Sequence, residues 1–119
     1  MTASSPTPAW QDVFRNKVGY LVTQFSSQSR LAGLLDVDRS RISRWLRSEV
    51  PDPDNRLKLE ALEFVYLRLA AFLAPKTAEK WLLGVNDHLG GRRPVDLIRE
   101  GRVAEVVAAA EQFETGAYV

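Results

Sequence analysis

Cysteine is absent from the 119 residues. Its absence excludes a disulfide framework, a zinc–thiolate site and a thiol nucleophile together. Histidine occurs once, at His88, and a lone imidazole without a partner is more often a surface or capping residue than a general base. Gly90-Gly91 follows no strand-like segment and lacks the spacing of a dinucleotide or phosphate loop. Carboxylates are spread along helix surfaces as solvating charge. No constellation for chemistry emerges, so the chain is expected to be no enzyme and to hold no cofactor and no metal. Long apolar runs are missing as well. The longest, Leu69 to Ala74, is far too short to span a bilayer, and Met1–Pro6 has neither the basic start nor the apolar stretch of a secretory signal. A soluble cytoplasmic protein without membrane contact is the expectation. Charge of one sign is also lacking: 16 Lys and Arg stand against 15 Asp and Glu, a net of +1. Nothing global therefore marks a nucleic-acid binder, and any basic surface must be local.

What is present is helical periodicity. Residues 1–8 form a Pro- and Ser-containing lead-in. Trp10, Phe14, Val18, Leu21 and Phe25 then recur at helical spacing, widened by Val13 and Val22. Ser26-Ser27 stops that helix and supplies a cap for the next, 28–35, with Leu31, Leu34 and Leu35 inward. Asp36-Val37-Asp38 is a tight turn, with Asp38 placed as N-cap of a third helix, Arg39 to Ser48. The run Pro51-Asp52-Pro53-Asp54 breaks it, since proline cannot continue a helix interior. A long helix is expected over Asn55–Ala74, with Leu59, Leu62, Tyr66, Leu69 and Leu73 along one seam. Leu57, Phe64, Val65 and Phe72 make it apolar around much of its circumference, which predicts a spine enclosed by partners. Pro75 opens a further helix with Ala78, Trp81, Leu82 and Val85 inward. A last one runs from about Arg102 to Glu114 and ends at Gly116. No stretch alternates as a strand does. The fold class is all-α, in three regions: residues 1–54, a connecting helix at 55–77, and residues 78–119.

Residues 28–47 have helix-turn-helix spacing: two short helices, a three-residue turn, small Ala32 at the crossing, and Ile42 with Trp45 beneath. The opposite face of the second helix carries Ser40, Arg44 and Arg47, flanked by Arg41 and Ser43 and preceded by Arg39. Hydroxyls and guanidinium groups are the donors that read base edges and phosphates, so these six residues are the DNA-binding candidates. A hairpin whose arginines merely solvate an outer face is the plainer alternative. The segment resembles the Xre type of helix-turn-helix found in small bacterial regulators. It departs from that type at Asp36, where the family usually has glycine.

Near the other end, Leu89-Gly90-Gly91-Arg92-Arg93-Pro94-Val95-Asp96-Leu97-Ile98 compresses a loop and a helix start, and Gly101 marks the stop. The glycines permit positive φ. Pro94 suits the first helical position, and Asp96 suits the exposed N–H groups of the first turn. On these residues alone the segment is a loop between core helices.

The pattern Trp81-Leu82, Asn86, Leu89-Gly90-Gly91, Pro94-Val95-Asp96-Leu97 and Gly101, followed by an Ala/Val-rich helix, resembles the C-terminal toxin-binding domain of the Xre/MbcA/ParS antitoxins. With the helix-turn-helix in front, the resemblance covers nearly the whole chain. It implies a small C-terminal helical toxin-binding domain and a cognate RES-domain toxin that consumes NAD. Silencing would come from binding over the toxin's active site in a hetero-oligomer, with operator DNA as a further partner and autorepression of the operon as a further role. The positions matching the toxin-binding region are Arg92, Arg93, Pro94, Asp96, Arg99, Phe113, Gly116, Tyr118 and Val119. The competing reading is a stand-alone DNA-binding regulator whose C-terminal half serves dimerisation.

Overall fold

A computed structural model of the chain describes residues 9–117. Among them are seven α-helices: α1 (Ala9–Phe25), α2 (Gln28–Leu35), α3 (Arg39–Arg47), α4 (Pro53–Ala70), α5 (Pro75–Leu83), α6 (Pro94–Arg99) and α7 (Val103–Ala117), plus one 3₁₀ turn at Asp87–Leu89. The β pairing among these residues is a single isolated bridge between Asn86 and Arg92. The all-α expectation holds.

Helix ends follow local chemistry. Ser27 caps α2 by accepting from the Arg30 N–H at 3.0 Å. The α2 C-terminus closes with the Val37 N–H donating to the Ala32 carbonyl at 3.0 Å and the Asp36 N–H to that of Gly33 at 3.4 Å. Asp36 sits there at φ +57°, the left-handed conformation that glycine usually supplies and that aspartate tolerates better than most residues. The departure at this turn is therefore one of residue type and leaves the turn geometry intact. Asp38 occupies the N-cap position of α3, but its carboxylate makes no capping hydrogen bond.

The Pro51–Asp54 segment does break α3, yet Pro53 also begins α4 two residues earlier than expected. Proline at the first helical position gives up only an N–H that has no intrahelical acceptor, and Asp52 caps the turn by accepting from the Asn55 N–H and, at 2.6 Å, from Asn55 Nδ2. At the other end α4 stops at Ala70, ahead of the expected Ala74, and Pro75 starts α5.

Helix α4 is the spine. Its Leu59, Leu62, Val65, Tyr66 and Leu69 are all fully buried, the four aliphatic side chains each contributing on the order of 1.5–3 kcal/mol of transfer free energy. Tyr66 lies edge-on to Phe25, with ring centroids 4.9 Å apart, and its hydroxyl donates to Gln24 Oε1 at 2.7 Å. The surrounding apolar side chains push its phenol pKa up. Ion pairs tie the spine outward, Lys17 to Glu63 at 2.9 Å and Arg68 to Glu111 at 2.8 Å. One hydrophobic cluster runs from Val18 on α1 to Ala110 on α7, so the three expected regions share a single core.

Three burial expectations are corrected. Leu57 and Phe64 are 64% and 53% exposed, and Leu67 is 50% exposed; α4 is thus uncovered along one side. Trp10 and Val13 are also exposed, at 49% and 47%, while Gln11, Asp12 and Phe14 in the same turns are half-buried, so the inward face at the start of α1 is not the one the apolar spacing marks. Val85 is 77% exposed, since α5 ends at Leu83 and the chain leaves the helical path at Gly84. Finally, Gly116 lies inside α7, which continues to Ala117, and so does not terminate it.

Candidate functional site

The Gly90–Gly101 segment is a small folded unit. The Asn86 side chain accepts from the His88 N–H at 2.9 Å, Gly90 and Gly91 take φ of +67° and +80°, and the Asn86 N–H donates to the Arg92 carbonyl at 2.9 Å. Pro94 then opens α6, with Pro94, Val95, Leu97 and Ile98 buried. At its end the Arg102 N–H donates to the Leu97 carbonyl and the Gly101 N–H to that of Ile98, at 2.9 and 3.0 Å. Gly101, at φ +78°, makes that closure possible.

The charged residues of this segment are paired with one another. Arg93 holds Asp96 through two hydrogen bonds of 2.9 and 3.0 Å, and Arg99 reaches the same carboxylate at 3.2 Å. Arg92 grips Glu100 in the same two-pronged way, with contacts of 3.2 and 2.5 Å. Arg102 bridges Glu100 and Glu105. Hydrogen bonding from Arg93 holds the Asp96 carboxyl below the usual carboxylate range, and that from Arg92 does the same for Glu100.

Arg99 does more. Its Nε donates to the Leu34 carbonyl at 3.0 Å and its Nη2 to the Gly33 carbonyl at 2.5 Å. These are last-turn carbonyls of α2, so a guanidinium from α6 caps a helix 65 positions earlier in the chain. Only 24% of the Arg99 side chain is exposed.

Of the sequence-proposed toxin-binding residues, Arg92 is exposed, Arg93, Asp96 and Arg99 are half-buried and joined in one network, and Pro94 is buried. Phe113 lies on α7, partly exposed, its ring centroid 5.9 Å from that of Phe72 and 6.3 Å from that of Trp81. Gly116 is exposed on the same helix. Tyr118 and Val119 lie outside the described residues. Sequence reasoning missed a groove of about 390 Å³ between α2, α5 and α6, lined in part by Arg30, Leu34, Leu83, Arg93 and Arg99. The one local signal for it was Leu83, an apolar residue at the very end of α5; its other walls come from α2 and α6, far apart in sequence.

The α3 candidates share one exposed face. Arg39, Ser40, Arg41, Arg44 and Arg47 are exposed and Ser43 half-buried, while Ile42 and Trp45 are in the core. Arg44 pairs with Glu49 at 2.7 Å and Arg41 approaches Asp52 at 3.5 Å. Arg39 and Arg47 make no ion pair among the described residues. No group of three or more potential metal ligands occurs among those residues.

The chain is 33% identical over 93 residues to a probable mycobacterial cidal antitoxin of Mycobacterium tuberculosis, covering 78% of this chain and 80% of that protein. The chain belongs to the mycobacterial cidal antitoxins. The antitoxin MbcA of Mycobacterium bovis is 30% identical over 87 residues, 72% of this chain and 77% of its own length. No family model matches. Among solved structures, a chain of the M. tuberculosis MbcT–MbcA toxin–antitoxin complex superposes with a TM-score of 0.73 at 26% identity, covering 90% of this chain and 98% of its own. The protein is thus an MbcA-like antitoxin of a toxin–antitoxin system. No described helix is long and apolar enough to cross a membrane.

Proposed function

We propose that this antitoxin neutralises a RES-domain, NAD-consuming toxin by binding over its active site with residues 92–119. The single observation that carries the reading is the match of nearly the whole fold to a chain of the MbcT–MbcA complex. The physical picture is occlusion. In this picture the α6 segment, pre-shaped by Gly90, Gly91, Pro94 and Gly101, offers Arg92 and Arg93 to the toxin, Phe113 on α7 adds an aromatic contact, and the residues beyond α7 would enter or cover the cleft. Because those arginines already hold internal carboxylates, they need little ordering on binding, which lowers the entropic cost of the complex. Asp96 and Arg99 serve mainly to orient Arg93 and α6. The test is removal of Gly116–Val119, with suppression of toxicity and complex formation both measured. Loss of suppression with the complex retained is the expected result. Full suppression by the truncated chain overturns occlusion by the tail.

A second activity, autorepression through operator DNA, is favoured by the exposed α3 face, on which Arg39 and Arg47 make no ion pair among the described residues. Arg44 and Ser40 would read bases, and the other α3 candidates would contact phosphates. Five carboxylates between residues 36 and 54 surround those four arginines, so a single copy would bind weakly and two would be needed on one operator.

A further inference from the structure

The uncovered side of α4 has a regular pattern. Leu57, Glu60, Phe64, Leu67 and Ala71 follow one another in alternating steps of three and four residues, and all five are exposed. Ala71 continues the helical path, at φ −65° and ψ −23°. Steps of three and four are the seam spacing by which one helix packs along another. The core-facing side of the same helix is already saturated by Leu59, Leu62, Val65, Tyr66 and Leu69. Three large apolar side chains at half exposure or more on one stripe form a surface that isolated monomers rarely leave open.

Charge selects the occupant. The seam contains one charged residue, Glu60, which makes no ion pair among the described residues, and Arg68 flanks it with its side chain 43% exposed. Phe64 lies midway between Glu60 and Arg68, and also midway between Leu57 and Ala71. If two copies of α4 meet antiparallel across a twofold axis at Phe64, Phe64 packs on its equivalent and Leu57 on Ala71 of the other copy. Each Glu60 then faces Arg68 of the other copy, and each Arg68 can bridge that carboxylate and its own Glu111, 2.8 Å away. A parallel pairing instead sets Glu60 against Glu60 and Arg68 against Arg68, with like charges opposed. The stripe is therefore complementary to itself in one orientation, the condition for an isologous contact. A groove of about 250 Å³ between Phe14, Arg56 and Leu57 lies at the end of the stripe where the second copy's Ala71 would arrive.

We infer that the exposed face of α4 is a homodimer interface, taken by a second copy of this chain in antiparallel register about Phe64. The inference stands on α4 and does not depend on which toxin the antitoxin binds. Sedimentation equilibrium of the full chain, alone and without toxin, tests it. The unmodified chain should be a dimer at micromolar concentration, and Phe64→Glu should raise the dimer dissociation constant roughly thirtyfold or more, as expected for a central aromatic anchor. Glu60→Arg should weaken the dimer by opposing Arg68, and Glu60→Arg with Arg68→Glu should recover most of that loss. The charge pair decides the matter if circular dichroism shows Phe64→Glu unfolded. A monomeric unmodified chain, a dimer indifferent to Glu60→Arg, or a double variant no better than the single one each overturns the inference. So does loss of toxin binding in Phe64→Glu when the free chain is monomeric, since the toxin then covers this face.

Discussion

Helix α3 and the α6 segment are both rich in arginine and both have carboxylates close by, yet they use them in opposite ways. On α3 the arginines radiate from one exposed face, with one close pair, Arg44–Glu49, one looser approach, Arg41–Asp52, and two that are unpaired among the described residues. Around α6 every arginine is held internally: Arg92 and Arg93 by two-pronged contacts, Arg99 by Asp96 and two backbone carbonyls. The difference comes from spacing. Arg93, Asp96 and Arg99 recur every three residues and so share one side of a short helix, where opposite charges meet. On α3 the carboxylates lie before and after the helix, leaving its middle to cations alone. Internal pairing makes a preformed, rigid surface suited to a protein partner, and unpaired guanidinium groups remain available to an anionic one.

The contrast can be broken first at Arg99. Arg99→Ala removes two charge-assisted hydrogen bonds to the end of α2 and should cost about 2 kcal/mol of stability in urea unfolding. Since those carbonyls directly precede the turn into α3, the loss should appear as faster amide exchange at residues 34–38. An effect no larger than that of an ordinary surface substitution would show that α6 does not hold α2.

Acid should separate the regions next. Asp96 and Glu100 have folded-state pKa values below the ordinary 3.8 and 4.5. Their contribution is complete above those values and is lost as pH falls through the lower folded values. The melting temperature should therefore hold between neutral pH and about pH 5 and drop below about pH 4, and Asp96→Asn should show a smaller drop from a lower starting point. An acid transition identical in Asp96→Asn would assign the effect to other carboxylates.

The smallest stability effect belongs to α3. Arg44→Ala should change stability by about 0.5 kcal/mol or less, as for an exposed ion pair, while weakening operator binding by about 1–3 kcal/mol if Arg44 reads a base. Unchanged binding would reduce the α3 face to solvated surface.

Much of this was legible along the chain. Helical spacing marked each helix, and Pro94 with the glycines at 90, 91 and 101 marked the α6 segment, because caps and positive φ are local properties written in single residues. What local pattern does not carry is the partner of each face. Leu57 and Phe64 read as core because any apolar residue on a crowded helix does, and Val85 read as inward by extending a period past the point where α5 stops. The Arg99 contact with Gly33 and Leu34 spans more than 60 residues, so no window of sequence contains both ends. Pro53 had two valid readings, breaker and first helical residue, and both apply.

The most direct test of the central claim is the NAD pool of cells expressing the cognate toxin, measured with and without this antitoxin. NAD should collapse with the toxin alone and stay near its resting level when the antitoxin is co-expressed and co-purifies with it. A collapse of the same depth in the presence of a stable complex would contradict inhibition by occlusion of the NAD site.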